Sequence, residues 1–135
     1  MLDLEAEKKK LSLEEILFLQ KLKTGELFKF ACVAGPILSQ NIKLDNFINF
    51  SDNLGLAFQI KDDLLDVEGD EKEIGKKVKK DLSRGKETLI SFFGKENAKD
   101  KSKELINNCI KLLEPYRKKA NKVLELTTFV ISRKK

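Results

Sequence analysis

Leu54-Gly55-Leu56-Ala57-Phe58-Gln59-Ile60-Lys61-Asp62-Asp63-Leu64-Leu65-Asp66 is the stretch around which the chain is organised. At about 100° per residue, Gln59, Asp62, Asp63, Asp66 and Asp70 fall within about 100° of one another on a helical wheel. Leu54, Leu56, Ala57, Phe58, Ile60, Leu64, Leu65 and Val67 fill the rest, interrupted only by Lys61. A surface helix carries one apolar stripe on a polar background. Here the polar stripe is the narrow one, which predicts a buried helix whose acids face an internal cavity. Ionised carboxylates in such a place are strongly disfavoured without a cationic partner. The chain has no His, so hard divalent cations with oxygen ligands, Mg²⁺ first, are the natural counter-charge. A solvated acidic helix end running into a loop fits the same spacing.

Composition bounds the fold. A chain of 135 residues reads as one domain, residues 1–135, and its 41% of hydrophobic residues can bury a moderate core. Charged residues reach 36% with only 2 Pro, a balance that favours long helices over sandwiches or disorder. The net charge of +5 is the excess of 27 basic over 22 acidic residues. Cys32 and Cys109 are far apart in sequence and each lies in a helical apolar pattern, so buried thiols are expected in place of a disulfide or metal pair. No secretory pattern or long apolar run occurs, and a reducing cytoplasm is the default expectation. The opening Met1-Leu2-Asp3-Leu4-Glu5-Ala6 has no cap and reads as a helix entered partway.

The rest of the chain gives helices separated by short connectors. Ser12-Leu13-Glu14-Glu15 is a capping-box pattern, and Leu13, Ile16, Leu17 and Gln20 share one side of the helix that follows. Gly25 is expected to weaken or kink that helix. Helical spacing resumes at Leu27, Phe30, Ala31, Ala34, Gly35 and Leu38, with Pro36 positioned to end or bend the segment. The central helix is expected from Asp45 to Val67, ended by Glu68-Gly69-Asp70. Residues 69–86 then read as a Gly-punctuated polar loop rich in Lys, including Lys76 and Lys86. Thr88 to Phe93 reads as a short helix, Glu96 to Leu113 as a longer one, and Tyr116 to Ser132 as the last, with Pro115 at the boundary. No strand alternation persists, so the predicted class is all-α, a helical bundle.

Several chemistries are disfavoured. The basic loop has no aromatic residue for base stacking and no helix-turn-helix or zinc pattern accompanies it, which argues against nucleic acid. Neither GxxxxGK[ST] nor GxGxxG occurs. A di-iron bundle wants Glu-x-x-His, and acyl transfer wants a His base; the chain has neither. Carboxylates followed by lysines suit a polyanionic, metal-bound ligand such as a diphosphate, although a charge run is also the ordinary dress of a solvated face.

Taken together, several segments resemble the trans-isoprenyl diphosphate synthases, the family of farnesyl and geranylgeranyl diphosphate synthases. Gly55 to Asp66 looks like that family's second aspartate-rich motif. Lys23-Thr24-Gly25 looks like its Lys-Thr pair in a kinked helix, and Gly75-Lys76 with Asp81-Leu82-Ser83-Arg84-Gly85-Lys86-Glu87-Thr88 like its diphosphate-contacting loop. Leu2-Asp3-Leu4 is similar to the segment after the family's Gly-Gln, and Ile131-Ser132-Arg133-Lys134 resembles its basic C-terminus. Each motif is weak alone; their conjunction, in order and across nearly the whole chain, is specific.

The resemblance implies the C-terminal part of an isoprenoid synthase fold, in which isopentenyl diphosphate adds to the carbocation of an ionised allylic diphosphate. It implies Mg²⁺ held by Asp62 and Asp66, with Asp63 supporting the same stripe. It implies diphosphate contacts from Lys23, Lys76, Lys86 and Arg133, and carbocation shielding by Thr24 and Gln59. It further implies a cytoplasmic enzyme without a membrane span, a homodimer at full length. The family's first aspartate-rich motif and its chain-length determinants have no counterpart in these residues. The chain therefore looks like the C-terminal half of a synthase: a truncated chain, a gene fragment or a subunit.

Overall fold

The computed structural model describes residues 11–40, 44–74 and 88–134, and of 70–74 only the backbone. The described residues are helical without a strand, so the all-α expectation holds. Among the described residues six α-helices follow in order: α1 Leu13–Gln20, α2 Glu26–Ser39, α3 Leu44–Ile74, α4 Leu89–Phe93, α5 Lys95–Leu113 and α6 Asn121–Ser132. Ser12 caps α1 as its sequence predicts. Its backbone N–H donates to Glu15 Oε2 at 2.8 Å, and its hydroxyl accepts from the Glu15 N–H at 3.2 Å. Thr88 and Ser91 build the same reciprocal cap on α4.

The kink expected at Gly25 is a π-helical turn, Lys21–Gly25, that joins α1 to α2. The Glu26 N–H donates to the Lys21 carbonyl five residues back, so the turn holds one residue more than an α-helical one. Gly25 also lets α3 come close: a Cβ built on Gly55 would lie 3.7 Å from the Gly25 Cα. Pro36 stays inside α2, close to its end.

The central helix α3 packs most extensively against α5, and α2 lies against it as well. Phe50, Leu54, Ala57, Ile60 and Leu64 recur at helical spacing and are all buried. Their counterparts on α5 include Leu105, Ile106, Cys109 and Leu113. The Cys109 thiol donates to the Phe50 carbonyl at 3.6 Å. Burial of each large side chain contributes roughly 1.5–3 kcal/mol, which makes this seam the backbone of the fold.

Two boundaries differ from expectation. Gly69 does not stop α3, which continues to Ile74. One glycine in a helix costs only about 1 kcal/mol relative to Ala, too little to end a long packed helix. The last helix starts at Asn121, not Tyr116, because Glu114–Ala120 winds as 3₁₀ around a break at Arg117 with φ of 49°. Pro115 signals the break from sequence, but nothing marks Arg117 for a left-handed φ. Residues 1–10, the connector residues 41–43 and the basic segment 75–87, with Lys76 and Lys86, lie outside the described residues.

Candidate functional site

Asp62 and Asp66 stand one helical turn apart on α3, on the same face. Both line an open cleft of about 540 Å³ that Lys61, Glu68, Arg133 and Lys134 also border. Asp66 is exposed, and the Asp62 side chain is 40% exposed. The internal cavity expected from the helical wheel is therefore corrected to an open cleft. The buried stripe of α3 runs from Phe50 to Leu64, past Asp62, and Asp66 beyond it is exposed.

Asp63 departs from the stripe. It is buried, and its Oδ2 accepts the Leu89 N–H at the start of α4 from 2.9 Å. Its neighbour Asp62 is rotated about 100° around the helix axis, enough to put one carboxylate on the cleft and the other inside. Asp63 is one of the acids expected to hold metal; in the structure its Oδ2 fastens α4 to α3. Among the described residues, no three acidic or thiol side chains converge to hold a metal.

Arg133 arrives from the end of α6. Its guanidinium pairs with Asp62 Oδ1, donates to the Phe58 carbonyl at 3.4 Å and lies 4.0 Å from the centroid of the Phe58 ring. Phe58 and Asp62 are four residues apart, so one face of α3 presents the guanidinium with an aromatic seat and a carboxylate together. The Arg133 side chain is only 14% exposed.

Gln59, one turn before Asp62 and Asp63, is buried and lines a second cavity of about 240 Å³. Gln20, Gly25 and Leu56 share that cavity. Lys23 is exposed and Thr24 half-buried in the π-helical turn beside it; neither borders the Asp62 cleft. Two residues gain a place that their sequence roles did not give them. Gln20 Oε1 is buried without a hydrogen-bond partner among the described residues, and its one signal was an amide on the apolar side of α1. Phe58 reads as core by spacing, and nothing local announces its guanidinium.

The two thiols are free. Burial raises Cys32 above its ordinary value, while burial and then the neighbouring Cys32 push Cys109 up to about 12. Cys109 is buried in the core and Cys32 packs half-buried against it.

The profile of the polyprenyl synthetase family matches residues 1–127. The chain belongs to the polyprenyl synthetase family. It is 35% identical over 139 residues to a farnesyl diphosphate synthase of Haemophilus influenzae, an alignment that takes in 98% of this chain and 46% of that protein. It is 41% identical over 145 residues to a farnesyl diphosphate synthase of Micrococcus luteus, covering 100% of this chain and 47% of that one. A solved FPP/GFPP synthase from Zymomonas mobilis has the same fold, with a TM-score of 0.80 and 33% identity over 95% of this chain and 42% of that one. This polyprenyl synthetase chain thus spans about half the length of the curated relatives it matches. No described helix is long and apolar enough to cross a membrane.

Proposed function

We propose that this chain supplies the second aspartate-rich half of a Mg²⁺-dependent prenyltransferase that condenses isopentenyl diphosphate with an allylic diphosphate. The observation that carries the reading is the Asp62–Asp66 pair, open to one cleft bordered by Lys61 and Lys134, in a chain of the polyprenyl synthetase family. The donor set fits the metal. Mg²⁺ keeps several waters and takes one or two carboxylates plus substrate phosphates, which is what two neighbouring oxygen donors on an open helix face can offer. When bound, the ion neutralises charge on the departing diphosphate.

Asp62 and Asp66 hold the ion, and Lys23, Lys76 and Lys86 take diphosphate oxygens. Their ammonium charges would offset the negative charge that develops on the departing diphosphate. Thr24 and Gln59 turn hydroxyl and amide dipoles toward the allylic carbocation. Arg133 would close over isopentenyl diphosphate. The enzyme works in the cytoplasm and is a homodimer at full length. This chain alone does not turn over.

Calorimetry with a bisphosphonate tests the reading. Binding should require Mg²⁺ and weaken roughly tenfold or more in Asp62→Ala, the loss of a charge-assisted ligand. Binding that ignores magnesium rejects it. A second reading, a non-catalytic partner subunit of a full-length synthase, is favoured by the exposed apolar row Phe18, Leu22, Leu27 and Phe30. Retained turnover when Asp62→Ala replaces the native chain in a reconstituted complex would select this second role.

A further inference from the structure

The carboxylate proposed to hold the metal is already engaged. Asp62 Oδ1 pairs with the Arg133 guanidinium. That guanidinium is not a surface side chain that happens to lean on an acid. It is held by the Phe58 ring at 4.0 Å and the Phe58 carbonyl at 3.4 Å, and the Arg133 side chain as a whole is 14% exposed. The two partners lie 71 residues apart, so the contact fixes the end of α6 against the middle of α3. A divalent ion and a guanidinium repel one another, and both seek the same oxygen.

We propose that Arg133 is the internal counter-cation of Asp62, and that a divalent cation takes Asp62 only by displacing it. This rests on the reading of Asp62 as a metal ligand. It adds a cost to metal binding in the absence of substrate, because Arg133 must give up its contacts with Asp62 and Phe58. A polyanion in the same cleft gives the displaced guanidinium another partner, since a planar guanidinium matches phosphate as well as carboxylate. Metal and diphosphate then assist one another's entry, and by linkage the assistance is mutual.

The test measures Mn²⁺ affinity of the full chain by electron paramagnetic resonance, with no substrate present. Arg133→Gln should bind Mn²⁺ roughly tenfold more tightly, the scale of one charge-assisted hydrogen bond removed from competition. Arg133→Lys keeps the charge but loses the planar fork, and should fall between the two. The gain should vanish in the double variant Arg133→Gln/Asp62→Asn. A second readout follows Arg133 itself. The chain's arginines are Arg84, Arg117 and Arg133, so the Arg133 Nε–H resonance is assigned by its loss in Arg133→Gln. Mg²⁺ should shift it and speed its exchange with water, with the midpoint of metal binding.

Unchanged or weaker Mn²⁺ binding in Arg133→Gln, beside Asp62-dependent binding in the native chain, overturns the displacement and leaves the metal site standing. So does an Arg133 resonance that stays put while Mg²⁺ binds. A gain that survives Asp62→Asn overturns it too, since the added affinity then lies elsewhere. No binding by either the native chain or Arg133→Gln removes both the displacement and the metal site.

Discussion

A carboxylate that accepts a backbone N–H inside the protein answers to truncation differently from one at the rim of a cleft. Asp63→Ala strands the buried Leu89 N–H, and an unsatisfied buried donor costs about 1–3 kcal/mol. Urea unfolding should show that loss, while Mn²⁺ binding persists. Asp62→Ala should weaken that binding roughly tenfold or more. The thiols give a second case. Cys109 sits at about 12 in the fold against an ordinary 9.0, so the folded chain keeps a proton there that the unfolded chain releases between those values. Its contribution is fully present below about pH 9 and is lost as pH rises toward 12. Urea titrations from pH 8 to 11 should show that decline, and Cys109→Ala should flatten it. Maleimide at neutral pH should label half-buried Cys32 first, and Cys109 only as the chain unfolds. At this scale the residue types were legible in sequence and their directions were not. Adjacent positions on a wheel cannot reveal that α4 returns to meet Asp63. Nor can they reveal that an arginine 71 residues away meets Asp62. Those are long-range contacts, and local spacing carries no signal for them.

Elements were easier to read because their causes are local. The Ser12 cap, the short α4 and the long α5 follow from capping residues and apolar recurrence. The π-helical turn was legible only as a weak point at Gly25, since the added residue in the turn depends on how α2 and α3 meet. Two glycines show why ends are harder than middles. Gly69 lies within α3, exposed, with open space where a Cβ would go. Gly69→Ala should therefore stabilise the chain by up to about 1 kcal/mol through helix propensity. Gly94 separates α4 from α5 at φ of 75° and ψ of 155°, a conformation nearly closed to side chains. Gly94→Ala should destabilise it by about 1–3 kcal/mol although nothing stands in the way of the methyl group. Thermal melts of the two variants should move in opposite directions. The sequence symbol is the same at both sites; only the backbone distinguishes them.

For the molecule as a whole, the informative surface is apolar. Phe30 is 70% exposed and Leu38 83%, with Phe18, Leu22, Leu27 and Ile37 on the same run from α1 through α2. On α6, Val123, Leu126 and Phe129 recur every third residue and are also exposed. Scattered exposed leucines are ordinary, but rows of large side chains along helix faces mark surfaces that bind. Each such side chain buried on association is worth roughly 1.5–3 kcal/mol before the loss of free rotation and translation is subtracted, so a handful can hold two surfaces together. The chain should accordingly associate at micromolar concentration, and light scattering should report a mass above that of one chain. Phe30→Ser with Leu38→Ser removes the two most exposed members without touching the α3–α5 seam, and should return the mass toward one chain with helicity unchanged. A native chain that stays monomeric and scatters no excess light would mean that these rows are tolerated exposure. The partner-subunit role would then lose its physical support, while the Asp62 cleft, which none of these apolar side chains lines, would keep its own.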